Sequence, residues 1–258
     1  MDPSKLAVVS GAAKGIGAAS ADRFRREGVV VVGIATSPPE APLAGDPGVH
    51  WVLGDVAEPE TWARGAETIR AIGIAPSALV LNAARAQIGT VLTVTLEQWK
   101  RQFDINVFGA VLGAQTCLPL MIENGGGNVV VISSVNGWMA EQGLIAYSAS
   151  KATLIEFAKC LAVDHAREGI RVNVVAPGTV DTPAFRRAMG TASDPESFIE
   201  ARRQRNPIPT ILTADEIANV VWFLSGDQSS GMTGSVVTID AGLTASYDFR
   251  DLSVQGYK

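Results

Sequence analysis

The chain has 258 residues, 47% of them hydrophobic, with 21 Lys and Arg against 26 Asp and Glu and a formal net charge of −5. A mean hydropathy of +0.20 excludes a largely disordered chain, and a pI near 5.1 argues against a nucleic-acid binder, which would carry a basic face. The length suits one large α/β domain. Cys117 and Cys160 are too few for a disulfide scaffold and fit a reducing compartment. His50 and His165 lie far apart and lack ligand spacing, so no metal site is expected. The start Met1-Asp2-Pro3-Ser4-Lys5 is too polar for a signal peptide, and no run of about 18 apolar residues suggests a membrane span. A cytoplasmic protein is expected.

Residues 6–10 read as a buried first strand. Gly11-Ala12-Ala13-Lys14-Gly15-Ile16-Gly17 follows, then helical periodicity over residues 18–27, stopped by Gly28. Residues 29–35 are a second strand, ending in a loop rich in Pro, Gly and Ala. Residues 50–53 are a third strand, ending at Gly54-Asp55-Val56, and Pro59 opens a helix to residue 72. Residues 78–81 are a fourth strand, ending at Asn82-Ala83-Ala84. Thr95-Leu96-Glu97-Gln98 is a capping box that opens one long helix to about residue 122, with Pro119 placed to kink its last turn. Residues 128–134, 171–176 and 235–239 complete seven strands; a helix spans 147–168, and a second capping box at Thr213 opens a helix to about residue 224. Strands alternating with helices call for a doubly wound α/β fold: a seven-stranded parallel sheet covered on both faces by helices. No linker or repeat divides residues 1–258.

Tyr147 and Lys151 stand four apart on a helix, hence on one face. An ammonium beside a phenol favours the phenolate and makes a proton donor or acceptor usable near neutral pH. Chance spacing on a surface helix would look the same. Likewise the spacing Gly11-x-x-x-Gly15-x-Gly17 is neither the Walker nor the common dinucleotide pattern. A glycine turn before a helix nevertheless places backbone N–H groups at an anion.

Taken together, these motifs resemble the short-chain dehydrogenases/reductases in their compact, Rossmann-type form. Ser10 stands for the usual Thr before the glycine loop, and Leu81 and Ala84 depart from the family's Asn-Asn-Ala-Gly motif around Asn82-Ala83. The resemblance implies a catalytic tetrad of Asn106, Ser134, Tyr147 and Lys151, with Ser133 a structural hydroxyl. It implies cofactor contacts from Gly11, Lys14, Gly15, Ile16, Gly17, Thr36, Asp55, Val56, Asn82, Ala83, Tyr147 and Lys151. Pro177, Gly178, Val180 and Thr182 would embrace a nicotinamide, and Ile239-Asp240-Ala241-Gly242 matches the closing strand and turn.

The end of the second strand carries Ala35, Thr36 and Ser37, with no carboxylate to repel a 2′-phosphate, and Lys14 precedes the second loop glycine. NADP(H) is therefore favoured over NAD(H). The implied reaction interconverts a secondary alcohol and a ketone; a carrier-linked 3-oxoacyl reductase and a non-catalytic cofactor-binding regulator are the alternatives. Substrate contacts are expected from Arg85, Trp138, Gln142 and Phe185, with residues 179–209 as a lid. Arg85 would meet an anionic group or simply be solvated, and the lid arginines read as a solvated face. A homotetramer, or failing that a dimer, is implied, and the 247–258 tail is expected to reach a neighbour or cap a pocket.

Overall fold

The computed structural model describes residues 5–39, 42–190 and 194–245; the 247–258 tail lies outside them. Seven strands form a parallel sheet: β1 (Leu6–Ser10), β2 (Val30–Ala35), β3 (Val49–Leu53), β4 (Pro76–Leu81), β5 (Gly127–Ile132), β6 (Ile170–Pro177) and, counting a short pair described below, β9 (Val236–Ile239). Their order is β3-β2-β1-β4-β5-β6-β9, and every pairing is parallel. The order reverses beside β1, which opens a crevice at the carboxyl ends of the strands. Register brings Ser10, Ala35, Leu81, Ile132 and Pro177 to that edge.

The strands are β-branched runs buried on both faces because helices cover both sides. One face packs on α2 (Pro59–Ile72), α4 (Gly109–Glu123) and α5 (Ile145–Asp164), through Trp62, Ile69, Leu118, Met121 and Leu154. The other packs on α1 (Gly15–Arg26) and α8 (Ala214–Leu224), through Phe24, Ile217, Val221 and Leu224. Both capping boxes form: Thr95 accepts from Gln98 N–H at 3.2 Å, and Thr213 from Glu216 N–H at 3.3 Å.

The expected single helix over 96–122 is a corrected feature. It divides into α3 (Leu96–Phe103), a π-turn at Asp104–Phe108 and α4. The widened turn bonds Gly109 N–H to the Asp104 carbonyl and holds the buried Asn106. By length and composition Leu96–Glu123 is long and apolar enough to cross a membrane, yet half of its most apolar 18-residue window, of mean hydropathy 1.6, is buried inside this protein. The fifth strand stops at Ile132, so Ser134 caps a 3₁₀ turn at Val135–Gly137. The described part of the 179–209 region holds regular elements despite its weak periodicity. It carries β7 (Val180–Asp181), α6 (Pro183–Gly190) and α7 (Pro195–Arg203), and β7 pairs in parallel with β8 (Leu212–Thr213).

Candidate active site

The loop between β1 and α1 leaves no room for side chains at its glycines. Gly11 and Gly15 take φ values of 68° and 59°, which L residues rarely adopt. A Cβ on Gly17 would lie 2.2 Å from the Gly11 carbonyl oxygen, and one on Gly11 2.9 Å from Ala83 Cα. Bare backbone therefore lines the groove up to the start of α1. The first turn of α1, which begins at Gly15 and Ile16, holds no acidic residue, so its N–H dipoles are open to an anion such as a pyrophosphate. Lys14 stands exposed at the N-cap.

Ser10 welds this loop to the end of β4. Its hydroxyl accepts from Asn82 N–H (2.9 Å) and Ala83 N–H (3.1 Å), while Asn82 Nδ2 donates to the Ser10 carbonyl (3.0 Å). The Ser-for-Thr departure keeps the atom that does this. Thr36 is exposed just past β2. Asp55 Oδ1 accepts from Ala57 N–H at 3.0 Å and its other oxygen pairs with Arg101; the Val56 carbonyl is held by Trp62 Nε1 at 2.9 Å.

Across the groove, Thr182 lies 3.4 Å from where a Gly15 Cβ would be. Gly178 N–H donates to Ile239 at 2.8 Å, next to the turn that Asp240 builds by accepting from Gly242 and Thr244 N–H. Val180 is buried on β7, and Pro177 ends β6. A groove of bare backbone with a free helix start and polar flanks fits a nicotinamide dinucleotide.

The four tetrad positions come together where β5, α5 and the π-turn meet. Lys151 is buried, and its Nζ donates to the Ile132 carbonyl at 2.7 Å. Ser133 Oγ donates to the Lys151 carbonyl at 2.8 Å, a structural role as expected. Ser134 Oγ accepts from Asn136 N–H at 3.2 Å and donates to the Pro177 carbonyl at 3.5 Å. Lys151 Nζ lies 5.6 Å from the Tyr147 ring centroid. Asn106 Nδ2 donates to Ser150 Oγ (3.0 Å), which donates to the Tyr147 carbonyl (2.7 Å).

A family model described as enoyl-(acyl carrier protein) reductase matches residues 11–244. Dehydrogenase/reductase SDR family member 6 of Rattus norvegicus is 34% identical over 242 residues, covering 92% of this chain and 96% of its own. The chain belongs to the short-chain dehydrogenase/reductase family. Among solved structures, ligand-free aldohexose dehydrogenase of Thermoplasma acidophilum superposes with a TM-score of 0.89 at 30% identity, covering 96% of each chain. L-sorbose reductase of Gluconobacter frateurii, complexed with NADPH and L-sorbose, superposes with a TM-score of 0.87 at 27% identity, covering 94% of this chain and 97% of its own. Oxidoreductases of this family use NAD(P) and take small-molecule substrates.

In this short-chain dehydrogenase/reductase the electrostatics of Tyr147 differ from the expectation. Burial pushes its phenol up to about 12; the Ser134 hydrogen bond pulls the other way, and the Glu141 charge adds to the rise. The residue keeps partial surface exposure, so the shift reflects the depth of the hydroxyl rather than of the whole side chain. Burial pushes Lys151 down to about 7. Burial outweighs the Ser134 contribution at Tyr147, while the Lys151 amine gives one N–H to the Ile132 carbonyl.

The substrate candidates scatter. Arg85 is half-buried on the loop after β4. Gln142 is exposed before α5, and Phe185 of α6 meets Phe198 of α7 in a tilted ring pair, with centroids 6.0 Å apart. Trp138 is 47% exposed and lines an outer cleft with Ile155, Lys159, Val236 and Thr238, along the sheet edge. Two residues that the sequence left unremarked do more: Gln102 and Ser150 are fully buried hydrogen-bonding hubs. Of the lid arginines expected to form a solvated face, Arg202 of α7 instead pairs with Glu141, which also accepts from Asn136 Nδ2 at 3.1 Å. The only local signal was Gln102 one turn before Asn106.

Proposed function

We propose that the chain is an NADP(H)-dependent oxidoreductase that interconverts a small or medium secondary alcohol and its ketone. The observation that carries this reading is buried Lys151 with its Nζ 5.6 Å from the Tyr147 ring centroid, one helical turn on and near buried Ser134, beside the glycine groove. The N–H groups from Gly11 to Gly17 would hold the pyrophosphate. Asp55 and Val56 would hold the adenine, Asn82 and Ala83 the adjoining wall, and Lys151 the nicotinamide ribose. Pro177, Gly178, Val180 and Thr182 would cover the nicotinamide. A bound nicotinamide supplies the hydride on reduction and takes it on oxidation.

Tyr147 stands protonated at neutral pH, so it gives its proton to the alkoxide oxygen as the ketone is reduced. Ser134 hydrogen-bonds that oxygen and stabilises its charge. Asn106 acts through Ser150 and keeps the Tyr147 backbone in place.

Ala35, Thr36 and Ser37 at the end of β2, with Lys14 at the glycine loop, favour the 2′-phosphate form. Exposed Phe108, Ile145 and Val163 support a homotetramer built through α4 and α5 in a cytoplasmic enzyme; a monomer by light scattering would refute the assembly.

The deciding experiment is oxidation of NADPH and of NADH with a panel of ketones, diketones and acyl thioesters. Acyl thioesters are included because the matching family model carries an acyl-carrier description. Ketone reduction with NADPH preferred is expected. Cofactor binding without turnover on any member would favour a regulator.

A further inference from the structure

The loop after β4 is the most tightly clamped polar segment beside the tetrad. Gln102 Nε2 donates to the Arg85 carbonyl (2.6 Å), and its Oε1 accepts from Gln87 N–H (2.9 Å). One turn further on, Asn106 accepts from Arg85 N–H (2.9 Å) and donates to the same carbonyl (3.0 Å). Both amide side chains are buried. The loop then runs beside the segment leading to Tyr147, where Gly89 N–H donates to Gly143 at 2.8 Å and Gly89 bridges Leu144. Two buried amides thus fix the backbone from which the Arg85 side chain departs.

That side chain is half-buried and is aimed by a single neutral partner, with Nη2 donating to Gln87 Oε1 at 2.9 Å. Among the described residues Arg85 makes no ion pair; Arg171, which also makes none, is instead satisfied by four backbone carbonyls, those of Leu224, Gly226, Ser229 and Met232. Glu141, the carboxylate of the facing loop, is already taken by Arg202 and Asn136. A guanidinium held by one neutral amide keeps N–H donors free, and its planar fork matches a carboxylate.

We propose that Arg85 binds a carboxylate on the substrate, so that the enzyme acts on hydroxy and oxo acids, and that Gln102 is the positioning residue that holds Arg85 in place. The proposal rests on the alcohol–ketone reading above.

It is tested by steady-state reduction of levulinate and pyruvate, each beside its methyl ester, with both nicotinamides. The wild type should prefer an acid over its ester. Arg85→Gln should raise KM for the acid about 10- to 100-fold, the worth of a hydrogen bond to a charged group, and leave KM for the ester unmoved. Arg85→Lys should recover part of the loss. Gln102→Met should raise the acid KM in the same selective way, with kcat on the ester retained; equal loss on both would mark a merely structural role and overturn the assignment of Gln102. Equal turnover of acid and ester, turnover of neutral ketones alone, or an Arg85→Gln loss shared by both would overturn the proposal. No turnover of acids, esters or plain ketones would instead bring down the reductase reading beneath it.

Discussion

Lys151→Met removes a group that the fold holds at electrostatic cost. Burial lowers the lysine from 10.5 to about 7. The sign follows from proton counting. Between about pH 7 and 10.5 the unfolded chain keeps this proton and the folded protein has released it. The unfolded state therefore binds more protons, and stability rises with pH in that window. The limiting slope is about 1.4 kcal/mol per pH unit, and linkage over the step from pH 7 to 9 gives a gain of about 2 kcal/mol. Below about pH 6 both states are protonated and the contribution is flat. Tyr147, raised to about 12, opposes the gain above its unfolded value of 10. Methionine fills similar volume without a charge, so the variant should lose this slope and be more stable than wild type below pH 7. Urea unfolding of cofactor-free protein at pH 6, 7 and 9 measures it. A wild-type profile as flat as the variant's would refute the reasoning from burial.

Two further substitutions probe the groove. Gly17→Ala places a Cβ 2.2 Å from the Gly11 carbonyl oxygen, so the loop must move; it should lower stability by about 1–3 kcal/mol and weaken cofactor binding, and an unchanged melting temperature with an unchanged Kd would count against the packing argument. Ala35→Asp puts a carboxylate at the end of β2, where it would repel a 2′-phosphate. The ratio of kcat/KM for NADPH over NADH should fall, and no change would remove that strand end from cofactor choice.

Periodicity and punctuation are local properties, which is why the seven sheet strands, both capping boxes and the glycine loop could be read directly from the chain. The four tetrad positions were singled out for a different reason: Asn106, Ser134, Tyr147 and Lys151 stand in the order that the family resemblance implies. The π-turn at Asp104–Phe108 carries no Gly or Pro to mark it, and the β7–β8 pair is two residues long on each side, too short for any period. Burial is a tertiary outcome, and α3 inverts the expectation from residue type: Leu96 is 70% exposed while Gln102 is fully buried. The same cause lies behind Tyr147: spacing four residues apart shows proximity to Lys151 but not the burial that pushes the phenol up. Trp138, singled out by its place before the tyrosine, ends the 3₁₀ turn that Ser134 caps and lines a cleft with Ile155 and Val236.

The central claim is that the Tyr147 hydroxyl moves the proton of a hydride-transfer reaction. Tyr147→Phe keeps the ring and removes that one oxygen. Single-turnover reduction of a ketone accepted by the wild type, measured beside nicotinamide affinity, should show the rate falling by about 100- to 10,000-fold with the cofactor Kd nearly unchanged. A rate close to wild type would contradict the account.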